Sequence, residues 1–224
     1  MRHIFTILVT TFALLYAGCA AVGFMQNTAD INRGTLVVTA GTSVDELRRE
    51  TTFDLGKGSK HRAEETRTFA NAARFDWQLP GTNLTFKDCS NYFLTTDETG
   101  KTIEDIQIIT AQKYYTWDEL KAEMYEIEKR LLADGWKSVR YRDGSTAKEL
   151  LRQELEKPAL DKYKDTVGGS TYGKGDVFIT LLGKRPPIEE GENPYKSEQF
   201  THYIHAETRA KRQKSLGDFG VMPE

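Results

Sequence analysis

Between Ile4 and Met25 the chain carries no charged side chain. A stretch of that length and character cannot lie on a water-facing surface; it is buried, inserted in a bilayer or removed. Met1-Arg2-His3 precedes it with a small positive end, and Ile4 to Tyr16 is its most apolar part. A short basic head before such a run reads as a secretory signal segment whose positive end stays in the cytoplasm. The folded body is therefore to be sought after residue 25.

Near the C-terminal edge of that stretch, Leu15-Tyr16-Ala17-Gly18-Cys19 resembles the processing site of bacterial lipoproteins, with Ala-Gly directly before the cysteine. The resemblance implies a signal peptide over 1–18, cleavage between Gly18 and Cys19, diacylation of Cys19 and acylation of the new amine. Tyr16 departs from the pattern, which usually has Leu there. Ala20 stands where the family's inner-membrane retention signal has Asp, so the resemblance implies the outer membrane, facing the periplasm. Several acyl chains on one residue make a durable anchor, whereas one chain binds only marginally. Two other readings of these residues stay open. The stretch is long enough to span a bilayer uncleaved, as an inner-membrane anchor helix. Small residues would also let ordinary signal peptidase cut after Ala20 or Ala21 and release a soluble periplasmic protein.

Hydrophobic residues make up 38% of the chain and charged residues 29%, with eleven Phe, ten Tyr and three Trp to fill a core. Disorder over the whole length is excluded by that aromatic content. A net charge of −2 supplies no general field for nucleic acid. The two cysteines, Cys19 and Cys89, cannot make a disulfide framework, and an acylated Cys19 leaves Cys89 as a thiol suited to burial.

Residues 19–34 read as a polar tether and 35–187 as one α+β domain. Three helix starts carry the spacing of a capping box: Ser43 with Glu46, Thr116 with Glu119, and Thr146 with Glu149. In the second, Trp117, Leu120, Met124, Ile127 and Leu131 form one apolar stripe and Gly135 stands at the C′ position. Such a stripe serves a partner or a sheet, and packing on a sheet is the commoner use. Phe75, Trp77 and Leu79, then Leu84 and Phe86, then Tyr92 to Leu94, then Ile103 to Ile109 read as a four-strand antiparallel meander. Val139 with Tyr141 and Val177 to Leu182 add further strands, and Pro158 closes the third helix. The expected architecture is a mostly antiparallel sheet with helices packed on one face. Residues 188–224 read as a solvated polar tail, with a short helix between Lys196 and Gln213. Its basic cluster, Arg209, Lys211, Arg212 and Lys214, is either solvated or docks a partner.

Gly168-Gly169-Ser170-Thr171-Tyr172-Gly173-Lys174-Gly175 nearly matches a phosphate-binding loop but has Gly175 where the Mg²⁺-holding hydroxyl belongs. It reads as a flexible loop, and no nucleotide or other cofactor is expected. His202, His205 and Glu198 would share one face of a tail helix at spacings suited to metal ligation, a thin basis on a tail, and no metal is assigned. No Gly-x-Ser-x-Gly elbow occurs. His61 is the histidine of the core sequence, without a marked nucleophile beside it. The acid pairs Asp97–Glu98, Glu104–Asp105 and Asp118–Glu119 sit at turns and helix starts, where acids serve caps and solubility.

Gly41-Thr42-Ser43 opening a helix with Val44 and Leu47, then Leu55-Gly56, then the meander, is similar to the small lipoprotein subunit of the outer-membrane β-barrel assembly machinery. The similarity covers Thr35 to Ile109; Gly58 stands where the family has proline, and nothing from Thr116 onward has a counterpart. It implies a local architecture only. The expected function is a non-catalytic, lipid-anchored binding or scaffolding module with an envelope protein as partner. The alternatives are an immunity-type lipoprotein against a periplasmic toxin and a periplasmic hydrolase of an envelope polymer.

Overall fold

A computed structural model describes residues 34–60, 65–110, 113–140, 144–156, 166–185 and 200–216. The leader with Cys19, His61, Asp143, Pro158 and Glu198 lie outside the described residues.

The helices begin where the local hydrogen bonding says they should. In α1 (Val44–Glu50) the Ser43 hydroxyl accepts from the Glu46 N–H at 3.2 Å, and acids in the first turn and arginines in the last suit the helix dipole. In α2 (Trp117–Ala133) the Thr116 N–H donates to Glu119 Oε2 at 2.9 Å while the Glu119 N–H donates back to Thr116 Oγ1 at 3.3 Å. The far end of α2 closes with Gly135 at φ 87° and paired bonds from Trp136 to the Leu131 carbonyl and from Gly135 to the Leu132 carbonyl. A side chain at residue 135 would meet the strain of that left-handed conformation. Thr146 and Glu149 cap α3 (Ala147–Glu156) in the same reciprocal way. A fourth helix, α4 (Arg209–Leu216), follows the last strand directly.

One sheet of nine strands carries these helices. Its members are β1 (Gly34–Val37), β2 (Ser59–Lys60), β3 (Arg67–Gln78), β4 (Thr85–Thr96), β5 (Ile103–Ile109), β6 (Lys137–Ser138), β7 (Thr166–Lys174), β8 (Val177–Lys184) and β9 (Thr201–Thr208). Their order is β1-β3-β4-β5-β9-β8-β7-β6, with β2 also on β3. β1 runs parallel to β3, and the other described pairs are antiparallel. The protein is thus α+β and mostly sheet.

Trp77, Phe75, Tyr92, Ile106, Ile204, Ile179 and Tyr172 on the sheet share one buried cluster with Val44 and Leu47 of α1, with Leu120, Met124, Ile127 and Leu131 of α2, and with Leu151 and Leu155 of α3. Trp77 is fully buried, stacks on Phe86 at 5.0 Å and donates its indole N–H to the Val38 carbonyl at 2.9 Å. The last helix departs from the one-face expectation. Its Arg209 and Arg212 lie over Phe178, which belongs to a separate cluster with Val139 and Ala147, while Val177 and Ile179 beside it pack into the main core. Neighbours on a strand point to opposite sides, so α4 covers the reverse of the sheet.

Three further expectations are corrected. The meander has long strands without a break at residues 88–91: β4 continues through Asp88, whose φ of 53° makes a bulge. Arg74 stabilises that bulge by donating from Nε and Nη2 to Asp88 Oδ1 at 2.9 and 2.8 Å. The glycine-rich run is strand β7, which hairpins into β8 at Gly175, φ 60°. Residues 201–208, read as part of a polar tail with a helix, form β9, which lies between β5 and β8 and joins the two halves of the sheet.

Candidate functional site

The two histidines of β9 are three residues apart on a strand, not a helix, so they point to opposite faces. His202 is fully buried, with Nδ1 2.7 Å from Thr110 Oγ1 and its ring edge toward Tyr115. Its Nε2 has no hydrogen-bond partner among the described residues, and burial pushes its pKa down to about 3. His205 is on the reverse face with Nε2 2.8 Å from Asp105 Oδ1. Burial lowers its pKa, but the Asp105 hydrogen bond and charge, with Glu207 adding, outweigh this and raise it. The shared helix face that would bring His202 and His205 together as metal ligands is therefore not formed. Among the described residues no three His, Cys, Asp or Glu side chains converge as a metal site.

Cys89 is fully buried, its Sγ 3.6 Å from the Phe86 carbonyl, and burial pushes the thiol up to about 12. A thiol in that setting is not a nucleophile. Asp97 organises the β4–β5 turn, accepting from the Thr99 hydroxyl at 2.8 Å and the Lys101 N–H at 3.1 Å. Asp118 pairs with Lys121 at 2.7 Å, and Glu119 is held by the α2 cap. These acids are occupied by turns, caps and ion pairs.

Two further constellations bring together residues that are scattered in the sequence. The first is a groove of ≈ 550 Å³ between α2 and α3, lined by Tyr125, Glu128, Lys129, Leu132, Arg152 and Glu156 among others. Glu128 is 4% exposed and accepts from the Tyr172 hydroxyl at 3.0 Å. Burial raises the phenol pKa of Tyr172. A helical reading could have found Glu128, because Met124, Glu128 and Leu131 follow one another at spacings of four and three, on the apolar face.

The second lies on the reverse of the sheet. The basic cluster of α4 is seated on acids of its own fold: Arg209 Nε is 3.1 Å from Asp176, Lys211 Nζ 3.1 Å from Glu104, Arg212 Nη1 2.7 Å from Glu207, and Lys214 Nζ 2.6 Å from Glu98. The Arg212–Glu207 pair is buried, at 8% and 6% exposure, with the guanidinium 5.3 Å from the Phe178 ring centre. His205 and Asp105 adjoin it on β9 and β5. The arrangement is an acidic sheet face covered by a basic helix. Each of these four acids is paired with a cation of the chain's own last helix.

No known protein family matches the chain, and neither a curated protein nor a solved structure matches it.

Proposed function

We propose that the protein is a non-catalytic binding module of the bacterial envelope, tethered to the periplasmic side of the outer membrane through acylated Cys19. One observation carries the reading: a charge-free apolar leader behind a basic head ends in Ala17-Gly18-Cys19, the context that lipoprotein processing needs. Cleavage before Cys19 removes the segment that water would reject, and the fatty chains hold what remains. Residues 20–33 span up to about 50 Å when extended, enough for the sheet domain to stand clear of the headgroups. No helix among the described residues is long and apolar enough to cross a membrane. The binding half of the proposal is supported by the reverse face, where four acids and four cations of the chain meet.

Radiolabelled palmitate fed to cells making the wild type or Cys19→Ala tests the anchor. Label in the wild type and none in the variant is expected. Equal label in both would refute acylation at Cys19.

A further inference from the structure

We propose that the acidic reverse face of the sheet is a docking site for a basic helical segment of a partner protein, occupied in the free molecule by α4 as a displaceable strap. The face is built by Glu98 in the β4–β5 turn, Glu104 and Asp105 on β5, Asp176 in the β7–β8 turn and Glu207 on β9, which pairs in register with Phe178. Charges of one sign gathered on adjacent elements select cationic ligands, and the chain's own Arg209, Lys211, Arg212 and Lys214 show the spacing that fits.

The strap is held in a way that allows exchange. Of the described side chains of α4, Arg212 alone is buried, and Ala210, Gln213 and Lys214 are exposed. Ion pairs such as Lys214–Glu98, with both side chains more than half exposed, hold weakly and are screened by salt. The buried pair Arg212–Glu207 is different when cut by mutation and when opened. Truncating one partner leaves a buried charge, whereas lifting the helix returns both charges to water, where hydration offsets much of the lost attraction. Arg212 also fits imperfectly: its Nε is buried with no hydrogen-bond partner among the described residues, while Nη1 carries the contact to Glu207. A partner arginine placed so that both edges of its guanidinium meet acceptors of this face would outbid α4.

β9 stays in place when α4 lifts, because its backbone pairs with β8 along its whole length and with β5 from Tyr203 to Glu207. Docking is then a local exchange of helices, with the sheet as a fixed platform. This inference deepens the binding-module reading and rests on it for the existence of a partner. Its test is independent of Cys19, so failure of one leaves the other standing.

The probe is a dye-labelled, end-blocked peptide of residues 209–216, titrated by fluorescence anisotropy into the full-length protein in detergent. Because α4 competes in cis, loosening it should raise the apparent affinity for the probe. Lys211→Gln with Lys214→Gln should bind the peptide at least about tenfold more tightly than wild type, and raising NaCl from about 50 to about 500 mM should abolish the gain. Adding Glu98→Gln with Glu104→Gln should remove it too. In the wild type, excess peptide should speed hydrogen exchange of the 209–216 amides and leave those of 201–208 protected. This second measurement needs no variant to fold. Equal affinity of the loosened variant and wild type, binding indifferent to the two glutamates, or unchanged α4 protection at saturating peptide would each overturn the proposal.

Discussion

The hydroxyl of Tyr172 on β7 donates to the carboxyl of Glu128 on α2 at 3.0 Å, with Glu128 4% and Tyr172 0% exposed. This bond ties the longest helix to the far half of the sheet. Tyr172→Phe removes the donor and leaves the Glu128 carboxyl buried without it, which should cost about 1–3 kcal/mol in urea unfolding. Glu128→Leu added to Tyr172→Phe should restore part of that loss, since an apolar pair has nothing to satisfy. A single variant as stable as wild type would contradict the bond.

The histidines of β9 set opposite pH dependences. The folded pKa of His202 is depressed to about 3 from an unfolded value of 6.5, so below pH 6.5 the unfolded chain binds the proton first. Stability should fall by up to about 1.4 kcal/mol per pH unit between pH 6.5 and 3 from this group. The pKa of His205 is raised, so its contribution is full below 6.5 and is lost as pH rises through its folded value. Denaturation series at several pH values should show a flatter acid limb for His202→Asn. A limb unchanged by that substitution would assign the acid loss elsewhere.

The reverse face separates buried from exposed ion pairs. Arg212→Ala leaves Glu207 buried and uncompensated and should cost about 3–5 kcal/mol. Lys214→Ala, at a pair exposed by 62% and 74%, should cost under about 1 kcal/mol. Thermal unfolding of the two variants side by side checks the ranking, and equal losses would contradict it.

Cys89 should resist Ellman's reagent in the native protein and react fully once urea unfolds it, because the thiol is fully buried and its pKa is pushed up to about 12. Rapid native labelling would show that the core opens around β4.

A stop codon before Phe200 should abolish cooperative unfolding. It removes β9, which pairs Ile106 with Ala206 on one side and Leu181 with Ile204 on the other, and leaves two half-sheets with open edges. Circular dichroism melts of the truncated and full chains decide this. A sharp two-state transition in the truncated chain would contradict the bridging role.

The elements that were legible in the sequence are those specified locally. Ser43, Thr116 and Thr146 name their helices because each cap is a hydrogen bond three residues long, and the α2 stripe is read from spacing alone. β9 was hidden because its pattern depends on strands far away. His202 looks polar but fills a core position beside Thr110, and Glu207 is tolerated at 4% exposure because Arg212 arrives five residues later on α4. β7 was hidden by its glycines, whose low strand preference is overridden by pairing with β8. The acidic face was illegible for the same reason as β9: Glu98, Glu104, Asp176 and Glu207 are scattered in sequence and meet only in the folded sheet. The acids looked like solubilising pairs, and the basic cluster like a free tail.

Mass spectrometry of the N-terminal peptide from membrane-purified protein tests the anchor most directly. A mature chain beginning at Cys19 and carrying acyl chains is the predicted result. A peptide beginning at Met1, or an unmodified one beginning at Ala21 or Val22, would contradict it.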